Sequence, residues 1–167
     1  MARTTQFIFE ILEAEKEKLF QYASYRLHNI NDVEDVLQNL YIKILENPKQ
    51  FSNIANKQAY LYRIISNECT DILRSKANVD LLNDDRIASL DIKTLQSENF
   101  EDEFKMINRL LNILPLEQSE VIRLRHHSSL SFQEIADIMN VPLPTAKARY
   151  RYGIEKIRNN LKKHNLL

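Results

Sequence analysis

The sequence predicts an all-α protein built from two small helical domains. Its 167 residues include one glycine, four prolines and no tryptophan, so almost no glycine is available for β-hairpin turns, while strong helix formers dominate. Apolar residues recur at steps of three and four along most of the chain, which is the period of an amphipathic helix. The length fits one domain or two small ones, each with a modest core.

The charge distribution divides the chain. The net charge is zero, but residues 1–77 hold ten basic and ten acidic side chains, residues 78–105 hold three and eight, and residues 106–167 hold ten and five. We therefore predict a helical domain over 1–77, an acidic linker over 78–98 and a second helical domain over 99–167. A basic end behind an acidic connector suits binding to nucleic acid.

Three helices are predicted in the first domain. The first covers residues 7–27; the second begins at Asn31, with Glu34 completing a capping box, and ends at Asn47-Pro48. Residues 49–58 form a polar connection, and the third helix runs from about Gln58 to Lys76. The predicted core residues are Ile8, Leu12, Leu19, Ala23, Leu27, Val33, Leu37, Leu40, Tyr41, Ile44, Phe51, Leu61, Ile65, Cys69, Ile72 and Leu73.

Aromatic and basic side chains alternate along the third helix, among them Tyr60, Tyr62 and Arg63. Rings that stack on bases and cations that meet phosphates are typical of proteins that bind single-stranded DNA. Tyrosines at the edge of a core are the simpler interpretation, and composition alone favours it.

The second domain ends in a helix-turn-helix pattern. A helix from Asn99 stops at Pro115, and another runs from Leu116 to about His127. Ser131 and Glu134 then form a capping box before a short apolar run. Asn140 tolerates the left-handed conformation that ends a helix. Proline suits a first helical turn, and the prolines there are Pro142 and Pro144.

The last helix is amphipathic, with a basic outer surface. Its predicted inward residues are Ala146, Tyr150, Ile154, Ile157 and Leu161. A short capped helix, a tight turn and a basic second helix are typical of a unit that enters the DNA major groove. An amphipathic hairpin with a solvated basic face is the plainer alternative. Gly153 lies inside this helix, at a cost of about 1 kcal/mol against alanine, which suggests close approach of another helix.

Several classes of protein are disfavoured. Cys69 is the only cysteine, so an intrachain disulfide is excluded, and its core spacing favours an inert buried thiol. No apolar run reaches the length of a membrane span, and the first residues lack a signal-peptide core, so we expect a cytoplasmic protein. His126 and His127 have no further ligands at metal-binding spacing. We expect no cofactor and no enzymatic site.

Three blocks in this order resemble an RNA polymerase sigma factor of the extracytoplasmic-function (ECF) class. The run Asp32–Gln38 is similar to the family's acidic run in region 2. Residues 59–74, AYLYRIISNECTDILR, are similar to the helix that follows in region 2. The segment from Leu114 to Arg149, with its capped helix and turn, is similar to region 4. Tyr60, Asn140, Pro144 and Ala148 depart from the family's usual Trp, Gly, Gly and Ser.

The resemblance implies a protein without enzymatic activity that gives core RNA polymerase its promoter specificity. The implied contacts with the polymerase β′ clamp helices are Asp32, Asp35, Gln38 and Asn39. The implied −10 element residues, which capture a flipped base, are Ser52, Asn53, Asn56, Lys57, Tyr60, Arg63 and Asn67. The implied −35 residues are Pro144, Thr145, Lys147, Ala148, Arg149 and Arg151. Helix 116–127 would touch the β flap, and an anti-sigma factor is an expected partner.

Two alternatives remain open at this stage. A conventional helix-turn-helix regulator would bind operators alone as a dimer, but the sequence offers no ligand pocket or long heptad seam. A sigma-like protein that sequesters an anti-sigma factor would retain the fold, and the departures at Asn140, Pro144 and Ala148 leave room for it. The acidic linker would either mimic nucleic acid inside the polymerase or cover the basic end of the free protein.

Overall fold

The computed structural model describes residues 2–82 and 98–164, with side chains over 6–79 and 105–164. These residues form eight α-helices and no strand, which confirms the all-α prediction. They belong to two compact units, Met1–Ile92 and Lys93–Leu167. Most of the predicted acidic linker lies outside the described residues, so its bounds stay a prediction.

Four helices form the first unit: α1 (Ala2–Leu27), α2 (Ile30–Glu46), α3 (Pro48–Asn53) and α4 (Lys57–Leu82). α1, α2 and α4 pack against one another, and α3 packs on α1 and α2. Of the predicted core residues, Tyr41, Ile72 and Leu73 are only partly buried. The others are buried: Ile8, Leu12, Leu19, Ala23, Leu27, Val33, Leu37, Leu40, Ile44, Phe51, Leu61, Ile65 and Cys69.

Two polar side chains add to this core. Tyr62 is fully buried, with its ring 5.5 Å from that of Tyr22 in an edge-to-face arrangement, so it lies inside the core rather than at its edge, and its ring is not open to a base. Arg26 is 5% exposed and donates to the Ser66 carbonyl (3.3 Å) and to Thr70 Oγ1 (3.1 Å). Because a buried charge is costly unless it is hydrogen-bonded, these bonds stabilise the contact between α1 and α4.

Three local predictions for this unit need correction. The capping box at Asn31 and Glu34 is wrong: Asn29 caps α2, and its side chain accepts from the backbone N–H of Asn31 (2.9 Å) and Asp32 (3.3 Å). The connection after Pro48 is partly helical, since α3 places Phe51 in the core. α4 continues to Leu82, so the first residues assigned to the linker are helical.

The second unit is built around one central helix. It contains α5 (Glu98–Asn112), α6 (Leu116–Ser128), α7 (Phe132–Met139) and α8 (Leu143–Lys163). α6 packs against the other three helices, and residues 119–124 of it are all buried. One core cluster contains Leu111, Leu114 and Ile122, with Ile107, Tyr150, Ile154 and Ile157 packed on it. Phe100 and Phe104 continue the apolar spacing of Ile107 and Leu111 toward the start of α5 in the sequence, but they lie outside the described side chains.

The helix-turn-helix has the predicted ends. Ser131 Oγ accepts from Glu134 N (3.2 Å), and Glu134 Oε2 accepts from Ser131 N (2.6 Å), which is a complete capping box. Asn140 is left-handed, with φ 55° and ψ 48°. Val141 N then donates to Ala136 O (3.0 Å), as in a Schellman ending. Pro142 occupies the N-cap of α8 and Pro144 lies in its first turn.

Gly153 marks the close contact of α8 with α6. It is buried, and a β-carbon there would lie 2.8 Å from Ile122 Cδ1. The nearest other atoms, Gln118 Cβ and Leu114 Cδ1, would lie at 3.5 Å. The predicted close helix approach is therefore confirmed, and it explains a glycine in the middle of a helix.

Candidate polymerase and nucleic-acid interfaces

α2 presents one continuous exposed face, formed by Asp35, Gln38, Ile42 and Leu45 at steps of three and four. Ile42 is 52% exposed and Leu45 is 42% exposed. The face is acidic toward the start of α2 and apolar toward its end. An exposed apolar pair beside charged and polar groups is a common composition for a protein–protein contact.

The other two predicted polymerase contacts are engaged within the chain. Asp32 forms an ion pair with Lys76 of α4. Asn39 Nδ2 donates to Glu68 Oε2 on α4 (3.4 Å), and Glu68 also pairs with Lys43. These groups join α2 to α4 near both ends of α2. The structure thus divides the four predicted contacts into two on the exposed face and two at the α2–α4 junction.

The predicted −10 segment contains the end of α3 and the start of α4. Ser52 Oγ donates to the Pro48 carbonyl (2.8 Å), and Asn53 is exposed. Asn56 Oδ1 accepts from Ala59 N (2.9 Å) and so caps α4. Lys57 Nζ donates to the Ile54 carbonyl (2.8 Å). Part of this polar segment therefore fixes its own backbone.

Tyr60, Arg63 and Asn67 follow this segment on one face of α4, at steps of three and four. Tyr60 is partly exposed, with its ring 6.1 Å from that of Phe51, while Arg63 and Asn67 are exposed. The structure thus brings an aromatic ring, a cation and an amide together beside the 52–57 segment. These groups can stack on a base, meet a phosphate and hydrogen-bond a base edge.

The first turns of α8 expose Pro144, Lys147 and Arg151, with Ala148 and Thr145 partly buried among them. Arg151 lies with its guanidinium carbon 4.9 Å from the centre of the Tyr152 ring. Arg149 Nη2 instead lies 3.0 Å from Glu117 Oε2 at the start of α6. Arg149 therefore links α8 to α6, while Lys147 and Arg151 extend from the exposed side of α8.

The two adjacent histidines have different surroundings. His126 is exposed, with Nε2 3.0 Å from the Tyr150 hydroxyl. Burial, together with the charge of Arg123 and the neighbouring His126, lowers the pKa of His127 to about 4. Across the described residues, no three His, Cys, Asp or Glu side chains are grouped as metal ligands. No helix in that part of the chain is long and apolar enough to span a bilayer.

The comparisons with known families agree with this arrangement. Residues 11–79 match the family model for Sigma-70 region 2, and residues 110–159 match the one for Sigma-70, region 4. The two matches together cover well over half of the chain, in the order that a sigma factor requires. The chain belongs to the sigma-70 family of RNA polymerase sigma factors. This sigma factor therefore binds core RNA polymerase and promoter DNA, and it directs promoter-specific initiation.

Curated relatives identify the class. The sigma factor is 27% identical over 165 residues to the ECF RNA polymerase sigma factor SigW of Bacillus subtilis, which covers 92% of this chain and 88% of the relative. It is 28% identical over 142 residues to the ECF RNA polymerase sigma-E factor of Haemophilus influenzae, with 78% and 75% covered. Both relatives are ECF sigma factors, which confirms the resemblance seen in the sequence.

Solved structures share the fold. The sigma factor RpoE, crystallised with the anti-sigma factor NepR from Bartonella quintana, matches with a TM-score of 0.74 at 24% identity, over 97% of this chain and 98% of that one. CnrH, in complex with the cytosolic domain of CnrY, matches with a TM-score of 0.73 at 18% identity, over 95% and 90%. At these identities the likeness is one of fold.

Two residues of the α2 face, Ile42 and Leu45, are not among the residues predicted from the sequence. The inward stripe of α2 is complete without them. Their spacing from Gln38, at steps of four and three, places them on the outward stripe. An apolar residue that repeats on the charged side of a helix was the available sign of a contact surface.

Proposed function

We propose that the exposed face of α2, formed by Asp35, Gln38, Ile42 and Leu45, is the surface through which this sigma factor docks on the clamp helices of the polymerase β′ subunit. The exposure of two large apolar side chains beside a carboxylate that has no ion-pair partner among the described residues supports this. Apolar contact supplies affinity, while the carboxylate steers encounter and fixes register. Asp32 and Asn39 contribute at the edge, from their positions against α4.

The 52–57 segment and the adjoining α4 face are proposed to hold the non-template strand of the −10 element. Extracting a base from the duplex costs a few kcal/mol, and stacking plus hydrogen bonds must offset that cost. Tyr60 offers a ring, Arg63 and Lys57 offer cations, and Ser52, Asn53, Asn56 and Asn67 offer polar groups. All of these residues belong to the end of α3, the connection after it and the first turns of α4, which supports a single binding site.

α8 is proposed to read the −35 element from the major groove. Lys147 and Arg151 are the cations on the exposed side of its first turns, and Pro144, Thr145 and Ala148 lie beside them. Arginine that binds a guanine through two hydrogen bonds contributes about 1–3 kcal/mol of discrimination. Arg149, paired with Glu117, would set the angle of α8 and neutralise phosphate only in part.

We further propose that the protein carries no enzymatic activity of its own and acts in the cytoplasm, where polymerase supplies the chemistry. The structures of RpoE and CnrH, which share its fold, were each determined in complex with a protein partner, NepR and the cytosolic domain of CnrY. An anti-sigma factor is accordingly a proposed partner of this chain as well. α6 would contact the β flap from its exposed start, where Leu116 is 57% exposed.

In vitro transcription tests the proposal. The protein is mixed with bacterial core polymerase and a library of promoter DNA with random upstream sequence, and the transcripts are sequenced. We expect specific starts that share two upstream elements. Core binding without transcripts from any template would favour a sigma-like protein that only sequesters a partner, whereas absent core binding would refute the role of α2.

A further inference from the structure

Phe7 of α1 is an exposed aromatic residue beside the proposed −10 site. Its side chain is 47% exposed, whereas its neighbour Ile8 is fully buried in the core. The ring therefore lies outside the core that fixes α1. Single exposed rings are common on protein surfaces, so exposure alone assigns no role to Phe7, and its position beside the proposed −10 site is what distinguishes it.

Lys57 connects this ring to the 52–57 segment. The Lys57 ammonium lies 5.6 Å from the centre of the Phe7 ring and donates to the Ile54 carbonyl at 2.8 Å. The Lys57 side chain therefore bridges the Phe7 ring and the segment proposed to capture a base. Two turns further along α1, Gln58 Nε2 donates to Glu15 Oε2 (3.2 Å), so α1 and the start of α4 are also joined there.

The arrangement unites the two groups that bind unpaired nucleic acid. An open aromatic face accepts a base of any identity, because every base has a π-face, and a neighbouring cation neutralises its phosphate. Lys57 covers one part of the ring, and the exposed part remains available. The ammonium also holds the ring in place, because a cation over an aromatic face is attracted to it.

We propose that Phe7 is a stacking platform for one unpaired base of the non-template promoter strand, next to the base held by residues 52–57. The inference rests on the proposed −10 function of that segment and extends the strand's path from α4 onto α1. The contact is tolerant of sequence, so Phe7 contributes to strand affinity rather than to promoter choice. It assigns a DNA-binding residue to a helix that otherwise serves the core.

Phe9 provides a matched control on the same helix. It is 51% exposed, so its openness to water is close to that of Phe7. Two residues further along an α-helix correspond to a rotation of about 200°, which turns Phe9 away from the face that meets Lys57. If removing any exposed ring from α1 weakened DNA binding, replacing Phe7 and replacing Phe9 would weaken it equally.

The test uses holoenzyme reconstituted from core polymerase and the full chain. The probe is a fluorescent single-stranded non-template oligonucleotide from a promoter that the wild-type holoenzyme recovers from the random library. An abasic site is then introduced at each position in turn. The variants are Phe7→Ala, Phe7→Leu, Phe7→Trp and Phe9→Ala, and core binding and thermal unfolding of each are measured as folding controls.

We expect Phe7→Ala and Phe7→Leu to weaken oligonucleotide binding roughly tenfold, while Phe7→Trp and Phe9→Ala bind as the wild type does. One abasic position should weaken the wild type and leave Phe7→Ala unaffected. Unchanged binding by Phe7→Ala, or equal sensitivity at every abasic position, would overturn the inference. Phe7→Leu preserves bulk, so its failure to lose affinity would also count against stacking. If replacing residues 52–55 still alters −10 preference, the proposed function survives that outcome.

Discussion

Arg149 of α8 lies 3.0 Å from Glu117 of α6, with the Arg149 side chain 22% exposed and the Glu117 side chain 67% exposed. The pair joins the start of the central helix to the helix proposed to enter the major groove. Because one partner is well solvated, its contribution to stability is small, at most about 1 kcal/mol. Its larger effect is on charge, since it cancels one of the cations that would face DNA.

The pair predicts unequal salt dependence for two neighbouring cations. Lys147→Ala should lower the slope of log affinity against log salt by about one for −35 DNA. Arg149→Ala should lower it by less, because Glu117 already neutralises Arg149. In a Glu117→Gln background the effect of Arg149→Ala should rise toward that of Lys147→Ala. Equal slopes for Arg149→Ala with and without Glu117 would contradict this role for the pair.

Charge reversal on the α2 face should block polymerase binding without unfolding the protein. Asp35→Lys reverses the charge that we propose steers docking, and Ile42→Ala removes an apolar contact with an expected cost of about 1–2 kcal/mol. Glu17→Lys, at an exposed carboxylate of α1, is the charge-matched control away from this face. Pull-down by core polymerase and thermal unfolding measure the two effects. Normal capture of Asp35→Lys would exclude this face as the docking surface.

The 52–57 segment can be altered without removing its helix cap. Replacing residues 52–55 while retaining Asn56 and Lys57 should change −10 preference and leave core binding intact. Asn56→Asp keeps a cap, whereas Asn56→Ala should destabilise the first unit by about 1 kcal/mol. Library transcription with each variant gives the preferred −10 sequence. Identical promoter choice after the replacement would argue that base capture occurs elsewhere.

Gly153 is predicted to be constrained by one side-chain atom. Alanine gains about 1 kcal/mol in helix propensity, but its β-carbon would meet Ile122 Cδ1 at 2.8 Å. Because that atom is the end of a side chain, Gly153→Ala should be nearly neutral, while Gly153→Val should cost about 2 kcal/mol or more. In an Ile122→Val background, Gly153→Ala should become stabilising. Urea denaturation of the four proteins forms the double-mutant cycle, and additivity would refute the contact.

The burial of His127 should make the stability of the second unit sensitive to acid. Its pKa in the folded protein is about 4, lowered by burial first and then by Arg123 and His126, against about 6.5 when unfolded. Between pH 4 and pH 6.5 the unfolded chain therefore binds a proton at His127 that the folded chain does not. The free energy of unfolding consequently carries no penalty from His127 above about pH 6.5. It declines as the pH falls toward 4.

His127→Gln should flatten the pH dependence of unfolding in that window. His164→Gln, which removes an exposed imidazole just after α8, serves as the matched control. Urea denaturation between pH 4 and pH 7 measures both. An equal slope in wild type and His127→Gln would show that other groups cause the acid sensitivity.

Local patterns predicted most of this fold because they depend on residues close in sequence. Ser131 and Glu134 cap α7, and Asn140 ends it, with partners three or four residues away. The misassigned cap of α2 shows the limit of such patterns: Asn29 and Asn31 both precede an apolar stripe, and only the backbone conformation distinguishes them. Asn29 has the extended backbone that a cap requires, with φ −131° and ψ 121°.

Contacts between residues far apart in the chain could not be predicted from the sequence. Asp32 and Lys76 are 44 residues apart, and Lys43 and Glu68 are 25 apart, so no helical period relates them. The burial of Tyr62 has a similar cause, because α4 packs on both α1 and α2 and buries a wider arc than one stripe. The candidate site residues could be predicted from residue type and sequence order. Which of them are exposed, and which pair with another helix, depends on how the helices pack.

The ion pairs of α4 with α2 have a mechanical consequence. Lys76 holds Asp32 near the start of α2, and Glu68 holds Lys43 near its other end. α2 and α4 also pack directly on each other, so we expect the two helices to move together. A protein that seats on α2 therefore fixes the position of α4 at the same time. The distance between that partner and a DNA strand bound on α4 is then set by the folded domain.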